Sequence, residues 1–282
     1  MADQQKPAER PPRVDEPEKG TRLSAVEIHD NILAGASEDA ERPSSSLLWS
    51  ALASGLVIGF SFLGSAYLSS LADAEAYRKA LAAAGYPLGF IFVVIGRSEL
   101  FTENTLEPVI PLLHERIAKR LRDLGRLWAL LLIGNMAGAL VFAWLLARTA
   151  MVPPTLHAAL RAVSESATSG GFGIVFYQGI YAGWLIALMS WLLGATTARG
   201  AQIVIVWICT AAISAFEFRH SIAGAIEAFY RAFVGTATWA DMLGNFIAPA
   251  VLGNAVGGVV LVALLNYAQV KAELAPRPHT RE

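Results

Sequence analysis

Two short clusters of ionisable and polar residues interrupt otherwise apolar sequence. The first is Arg97-Ser98-Glu99-Leu100-Phe101-Thr102-Glu103-Asn104, and the second is Glu217-Phe218-Arg219-His220-Ser221, inside an apolar run from about Ile203 to Val234. A charge in the middle of a bilayer costs at least about 2–3 kcal/mol, so such residues usually mark a pathway or a buried pair. His220 is the group suited to proton chemistry. Its ordinary pKa of ~6.5 lets it offer a neighbour a hydrogen bond or a proton near neutral pH. A histidine satisfied by its surroundings and serving structure alone is the competing reading. Thr102 and Asn104 are polar groups able to orient the imidazole or line a path, or simply to bond freed backbone carbonyls. Arg97, Glu99, Glu103, Glu217, Arg219 and Glu227 cannot all face lipid. They are expected to neutralise one another within the bundle or at its ends, with Glu217, Glu99 and Glu103 the candidates to balance Arg219. No P-loop, nucleophile elbow or metal-ligand pair is present, so the expectation is a protein that is not an enzyme and holds no cofactor or metal.

The elements that must position these clusters are membrane spans. Of 282 residues, 55% are hydrophobic and 16% charged, with a mean hydropathy of +0.47. A soluble domain would carry about 25% charge. The single cysteine, Cys209, leaves no intrachain disulfide, and a net charge of −1 argues against a nucleic-acid partner. Met1–Gly20 is polar and proline-rich without the apolar core of a signal peptide, and it is expected to be a disordered tail. Ser24-Ala25-Val26-Glu27 has capping-box spacing, and Val26, Ile28, Ile32 and Leu33 suggest a short amphipathic helix beneath or beside the bundle.

Six apolar stretches follow: Leu47–Leu71, Tyr86–Leu113, Leu127–Leu146, Phe172–Leu193, Ala201–Val234 and Met242–Tyr267. About 20 residues suffice to span a bilayer. The second stretch holds the first cluster between Pro87, Gly89 and Gly96 on one side and Pro108 and Pro111 on the other; it reads as a broken helix, as does the fifth. The resulting plan is a polar segment over 1–46, a six-span domain over 47–270 and a polar tail over 271–282. Arg116, Lys119, Arg120, Arg122 and Arg126 cluster in the loop after the second stretch, on the side that also holds both termini. The excess of basic residues there predicts that both termini are cytoplasmic.

The chain also repeats itself. Leu132-Ile133-Gly134-Asn135-Met136-Ala137-Gly138 resembles Val251-Leu252-Gly253-Asn254-Ala255-Val256-Gly257, an offset of 253 − 134 = 119. The same offset carries Phe101 onto His220, so the two charged stretches fall at equivalent places in two halves. Three spans per half require the halves to be inverted, which places a substrate site between paired breaks near the midplane. Generic small-residue helix packing is the bland alternative, since Gly55/Gly59 and Gly179/Gly183 show the same spacing.

Six spans, Glu99-Leu100-Phe101-Thr102-x-Asn104, the paired Gly-Asn-x-x-Gly motifs and His220-Ser221 together resemble the formate/nitrite transporter family over about Leu23 to Ala268. The nearest likeness within it is to a divergent bacterial branch with a longer polar N-terminus. The resemblance implies an all-α, aquaporin-like bundle in the inner membrane, assembled as a homopentamer, each protomer conducting small monovalent anions such as formate or nitrite. It implies two apolar constrictions flanking His220. Phe90 would stand in one at the broken second span, Ile186 and Ile213 would form the other, and Thr102 would lie beside the histidine. A channel for a neutral solute such as water or ammonia in the same fold is the alternative. The chain departs from the family pattern at Glu103 and Gly183, where glycine and asparagine are usual, at Arg219, where an acid precedes the histidine, and at Gly224, in place of an asparagine. These changes alter the polarity of the path.

Overall fold

The structure is a computed structural model that describes residues 23–105 and 117–274. The tail expected over Met1–Gly20, and Pro108, Pro111 and Arg116, lie outside the described residues.

Every regular element described is helical. Helix α1 (Ala25–Glu41) opens on the capping box: Glu27 N donates to Ser24 Oγ at 3.2 Å and Ser24 N to a Glu27 carboxylate oxygen at 2.7 Å. That backbone hydrogen bond holds the Glu27 carboxyl below the usual carboxylate range. The helix is docked rather than free. Ile28 and Ile32 lie against Gly194, and Asn31 Nδ2 donates to the Gly194 carbonyl at 3.1 Å.

Five helical stretches are long and apolar enough to cross a membrane: Ser44–Ser69, Glu75–Ile95, Leu121–Arg148, Phe172–Gly194 and Trp239–Leu261. The first comprises α2 (Ser44–Val57) and α3 (Gly59–Ser69), the second α4 (Glu75–Gly85) and α5 (Pro87–Ile95). The third lies within α6 (Ile117–Arg148). After a loop that itself holds α7 (His157–Ala167) comes α8 (Phe172–Gly194). A shorter apolar helix, α9 (Arg199–Ala215), is followed by α10 (Ser221–Phe233). The last stretch joins α11 (Trp239–Asp241), a π-helical segment Met242–Ile247, α12 (Ala248–Val256) and a second π segment Gly257–Leu264, which leads into α13 (Leu265–Leu274).

One boundary moves relative to the sequence. Composition placed the start of the second span at Tyr86, but Glu75, Ala80, Ala82 and Ala84 are competent helix residues, and α4 runs into α5 with Pro87 at its first position, where a missing N–H costs nothing. Between the third and fourth apolar stretches lies α7, an 11-residue amphipathic helix too short to register as a span.

Two helix pairs come into backbone contact by the same device. A Cβ on Gly55 of α2 would lie 2.2 Å from the Asn135 carbonyl oxygen of α6, and one on Gly183 of α8 would lie 2.2 Å from that of Asn254 of α12. Such approach is possible only without a side chain, and it sets each asparagine against the backbone of the neighbouring helix.

Candidate functional site

Helices α5 and α9 end alike. Arg97 and Glu217 adopt left-handed backbone, with φ of 53° and 56°. Ser98 N then donates to the Val93 carbonyl at 3.1 Å, and Phe218 N to that of Ile213 at 2.9 Å. This is a Schellman-type stop built without glycine, and a non-glycine residue there stores about 1 kcal/mol of strain. The loops that follow are held by the two asparagines. Asn135 Oδ1 accepts from Phe101 N at 2.8 Å, while its Nδ2 donates to the carbonyls of Ala51 and Glu99. Asn254 Oδ1 accepts from Ser221 N at 2.8 Å, while its Nδ2 donates to the carbonyls of Gly179 and Arg219. Backbone groups that leave a helix inside an apolar bundle must find partners there, and one asparagine per loop supplies two, its third bond tying the loop to the Ala51 or Gly179 carbonyl of a neighbouring helix. The spacing between the asparagines is 254 − 135 = 119, but between the loops it is 221 − 101 = 120. By hydrogen bonding, Phe101 therefore matches Ser221 and His220 matches Leu100, one residue off the sequence alignment.

The loops meet at His220. Its side chain is 1% exposed. Nε2 lies 2.8 Å from Thr102 Oγ1 in the other loop, and Nδ1 accepts from Ala223 N at 3.2 Å, capping α10. With Nδ1 an acceptor, the neutral ring carries its hydrogen on Nε2 and offers it to Thr102. The Phe90 ring stands edge-on to the imidazole, with centroids 4.9 Å apart at 88°. Phe90, Ile186, Ile213 and Thr102 have no exposure. Phe101 places its ring on Trp128, at a centroid distance of 5.9 Å. Asn104 serves the first loop, donating to a Glu99 carboxylate oxygen at 2.9 Å and to the Leu100 carbonyl at 3.1 Å.

The charges separate into distinct pairs. Glu99 pairs with Arg42, just beyond α1. Glu217 pairs with Lys79 of α4 at 2.8 Å, with both side chains substantially exposed; such a pair contributes at most about 1 kcal/mol. Arg97 is exposed and Glu103 half-buried. Arg219 is buried, and its Nη2 donates to the Ser169 carbonyl and hydroxyl at 3.3 and 3.1 Å. Among the described residues, Arg219 forms no ion pair with the acids expected to balance it. Glu99 and Glu217 are engaged elsewhere, and Glu227 of α10 is the acid whose charge acts most on it. Glu227 entered the sequence reading only as one more charge; its i+7 relation to His220, on one face of a helix, was the available signal.

A cavity of about 160 Å³ leads inward from Lys79 and Glu217 at its mouth. Tyr86, Arg219, Glu227 and Phe246 wall it, and it reaches His220. Phe246 occupies the place a larger residue at position 224 would take: a Cβ on Gly224 would lie 2.5 Å from its ring.

The fold is a helical membrane bundle in which two helix-ending loops meet at one buried histidine, reached from one side by a cavity. The family model described as formate/nitrite transporter matches residues 26–268, and the chain belongs to that family. Inner membrane protein YfdC of Escherichia coli (strain K12) is 32% identical over 251 residues, covering 89% of this chain and 80% of that protein. A probable formate transporter of Methanothermobacter thermautotrophicus is 29% identical, covering 76% of this chain and 88% of the relative. Among solved structures, a pentameric formate channel with formate bound shares the fold, with a TM-score of 0.67 at 22% identity, over 81% of this chain and 98% of that one.

Proposed function

We propose that the protein conducts a small monovalent anion of the formate or nitrite class through the path that runs past His220, with a proton transferred at that histidine. The contact between His220 and Thr102, walled by Phe90, is the observation that carries this reading. A bare anion entering the apolar surroundings of Phe90, Ile186 and Ile213 would be desolvated at high cost. Hydrogen bonding and proton transfer at the imidazole lower that cost, and an anion crossing with its proton leaves no net charge in low dielectric. In this reading the protein has six spans in an aquaporin-like inverted repeat, with the second and fifth helices broken at Arg97 and Glu217. It sits in the bacterial inner membrane with both termini cytoplasmic, and the cavity then faces outward.

Purified protein in liposomes enclosing a pH dye tests the reading. Formate, nitrite or acetate added outside is expected to acidify the interior, whereas water flow alone leaves the dye unchanged. No acidification with any of the three sinks the proposal.

The assembly is proposed to be a homopentamer, as in the solved formate channel. Native mass spectrometry in mild detergent is expected to give a five-chain mass. Monomers and dimers alone would contradict it.

A further inference from the structure

We propose that Glu227, which lines the outer cavity together with Arg219, is the carboxyl that loads onto the incoming anion the proton then handled at His220. This deepens the function proposed above and rests on it.

Among the described residues, the route from bulk water to His220 runs through the cavity. Its ring is 1% exposed, Nδ1 is engaged by Ala223 N–H and Nε2 by Thr102. A proton can be added to Nδ1 only by giving up the cap of α10. A proton arriving from outside must therefore come through the cavity, and Glu227 is a carboxyl on that route. The side chain is 3% exposed, lines the cavity, and makes no hydrogen bond or ion pair among the described residues. Buried carboxylates are ordinarily held by several donors, so an unheld one facing a cavity is unusual. Arg219 is the complementary oddity. It is 5% exposed, and its Nε has no hydrogen-bond partner among the described residues. Glu227 thus keeps bonding capacity in the cavity, and Arg219 contributes its charge to the same wall. Seven residues, or two helical turns, separate Glu227 from His220, which is about 10 Å along α10.

The neighbours leave the pair to itself. Arg219 is the charged group that acts on Glu227, and the neutral Tyr86 phenol lines the same cavity. Helix α3 offers the cavity Ser65 and Ser69, and the first π segment offers Phe246. On α7, His157 turns to the Tyr230 hydroxyl at 3.3 Å, and Arg161 also acts on Tyr230, one helical turn beyond Glu227. The charges of α6 lie at its ends, with Arg122, Asp123 and Arg126 at one and Arg148 at the other. Glu75, Arg78 and Lys79 of α4, with Glu217, stand at the cavity mouth.

The step balances. An anion A⁻ is drawn into the cavity by the positive charge of the Arg219 guanidinium. The Glu227 O–H bond breaks, an A–H bond forms, and the neutral acid moves on toward His220. The carboxylate left behind is balanced by Arg219 until a proton from cavity water restores the acid. Arg219 thereby has two roles, as anion station and as counter-charge to the spent carboxylate.

The test uses the full chain in liposomes with an internal pH dye and formate outside. Glu227→Gln, nearly the same shape but unable to give up a proton, is expected to slow formate-driven acidification at least about tenfold. Glu227→Asp is expected to restore acidification with a displaced pH profile, which a purely structural role would not move. If Glu227→Gln acidifies at the wild-type rate from about pH 5 to about pH 8, the inference is wrong while the transporter reading stands. If wild type acidifies with none of formate, nitrite or acetate, the transporter reading falls and takes this inference with it. Should Glu227→Gln fail to fold, Glu227→Asp decides: a displaced pH profile supports the carboxyl, and an unchanged one overturns it.

Discussion

His220→Phe is expected to lower formate-driven acidification of liposomes by at least about 100-fold, the lower range of a positioned acid–base group. Phenylalanine fits the volume beside Phe90, so the change removes chemistry more than packing. Two hydrogen bonds go with it. Thr102 loses its partner on Nε2, and Ala223 N–H loses Nδ1, the cap of α10. The lost cap costs about 1 kcal/mol and the lost bond to Thr102 about 1 kcal/mol more, which leaves a folded protein. His220→Asn separates the two functions of the ring. Asparagine is a good cap and a hydrogen-bond donor, so α10 keeps its start, but it cannot carry a proton at neutral pH. It should give a fold as stable as wild type and an anion path that no longer moves protons. Measured side by side, acidification and unfolding temperature distinguish a proton-handling histidine from a structural one. Wild-type acidification by His220→Phe across the pH range would end the proposed mechanism.

Asn254→Leu is expected to produce the largest loss of stability. Leucine has almost the same volume, yet it leaves Ser221 N–H and the carbonyls of Gly179 and Arg219 without their shared partner. Unpaired buried backbone groups cost about 1–3 kcal/mol each. A loss of about 3 kcal/mol or more is expected in denaturant unfolding in detergent. Asn135→Leu should do the same on the other side, where Phe101 N–H and the carbonyls of Ala51 and Glu99 are released. Asn254→Asp is the informative control: it retains the acceptor for Ser221 N–H and loses both donations, so it should fall between wild type and leucine. Wild-type stability of Asn254→Leu would mean that the loops are held by something other than these asparagines.

The membrane-spanning class, the family and the two places where charge enters apolar sequence were legible without coordinates. Each rests on local composition or on a short motif. A run of apolar residues, a charge inside it and a Gly-Asn pair repeated at 119 residues are visible wherever the chain goes. The repeat also pointed at Asn135 and Asn254, but composition could not say that these side chains clamp the loops. A hydrogen bond from Asn254 to Arg219, across 35 positions, has no signature in either neighbourhood. For the same reason the alignment of the halves slipped by one. It matched residue types, Phe101 to His220, whereas the bonded backbone groups match Phe101 to Ser221. Charge partners were the least legible feature. Arg219 was set against acids near it in sequence, but Glu217 is drawn off by Lys79 and Glu99 by Arg42, because electrostatic pairing follows distance in space. That left Glu227, two helical turns along α10, as the buried acid sharing a cavity with Arg219 and His220. Only the packing of α3, α4, α7 and α10 around that cavity decides which ionisable groups face one another, since low dielectric and close approach arise only where the helices meet.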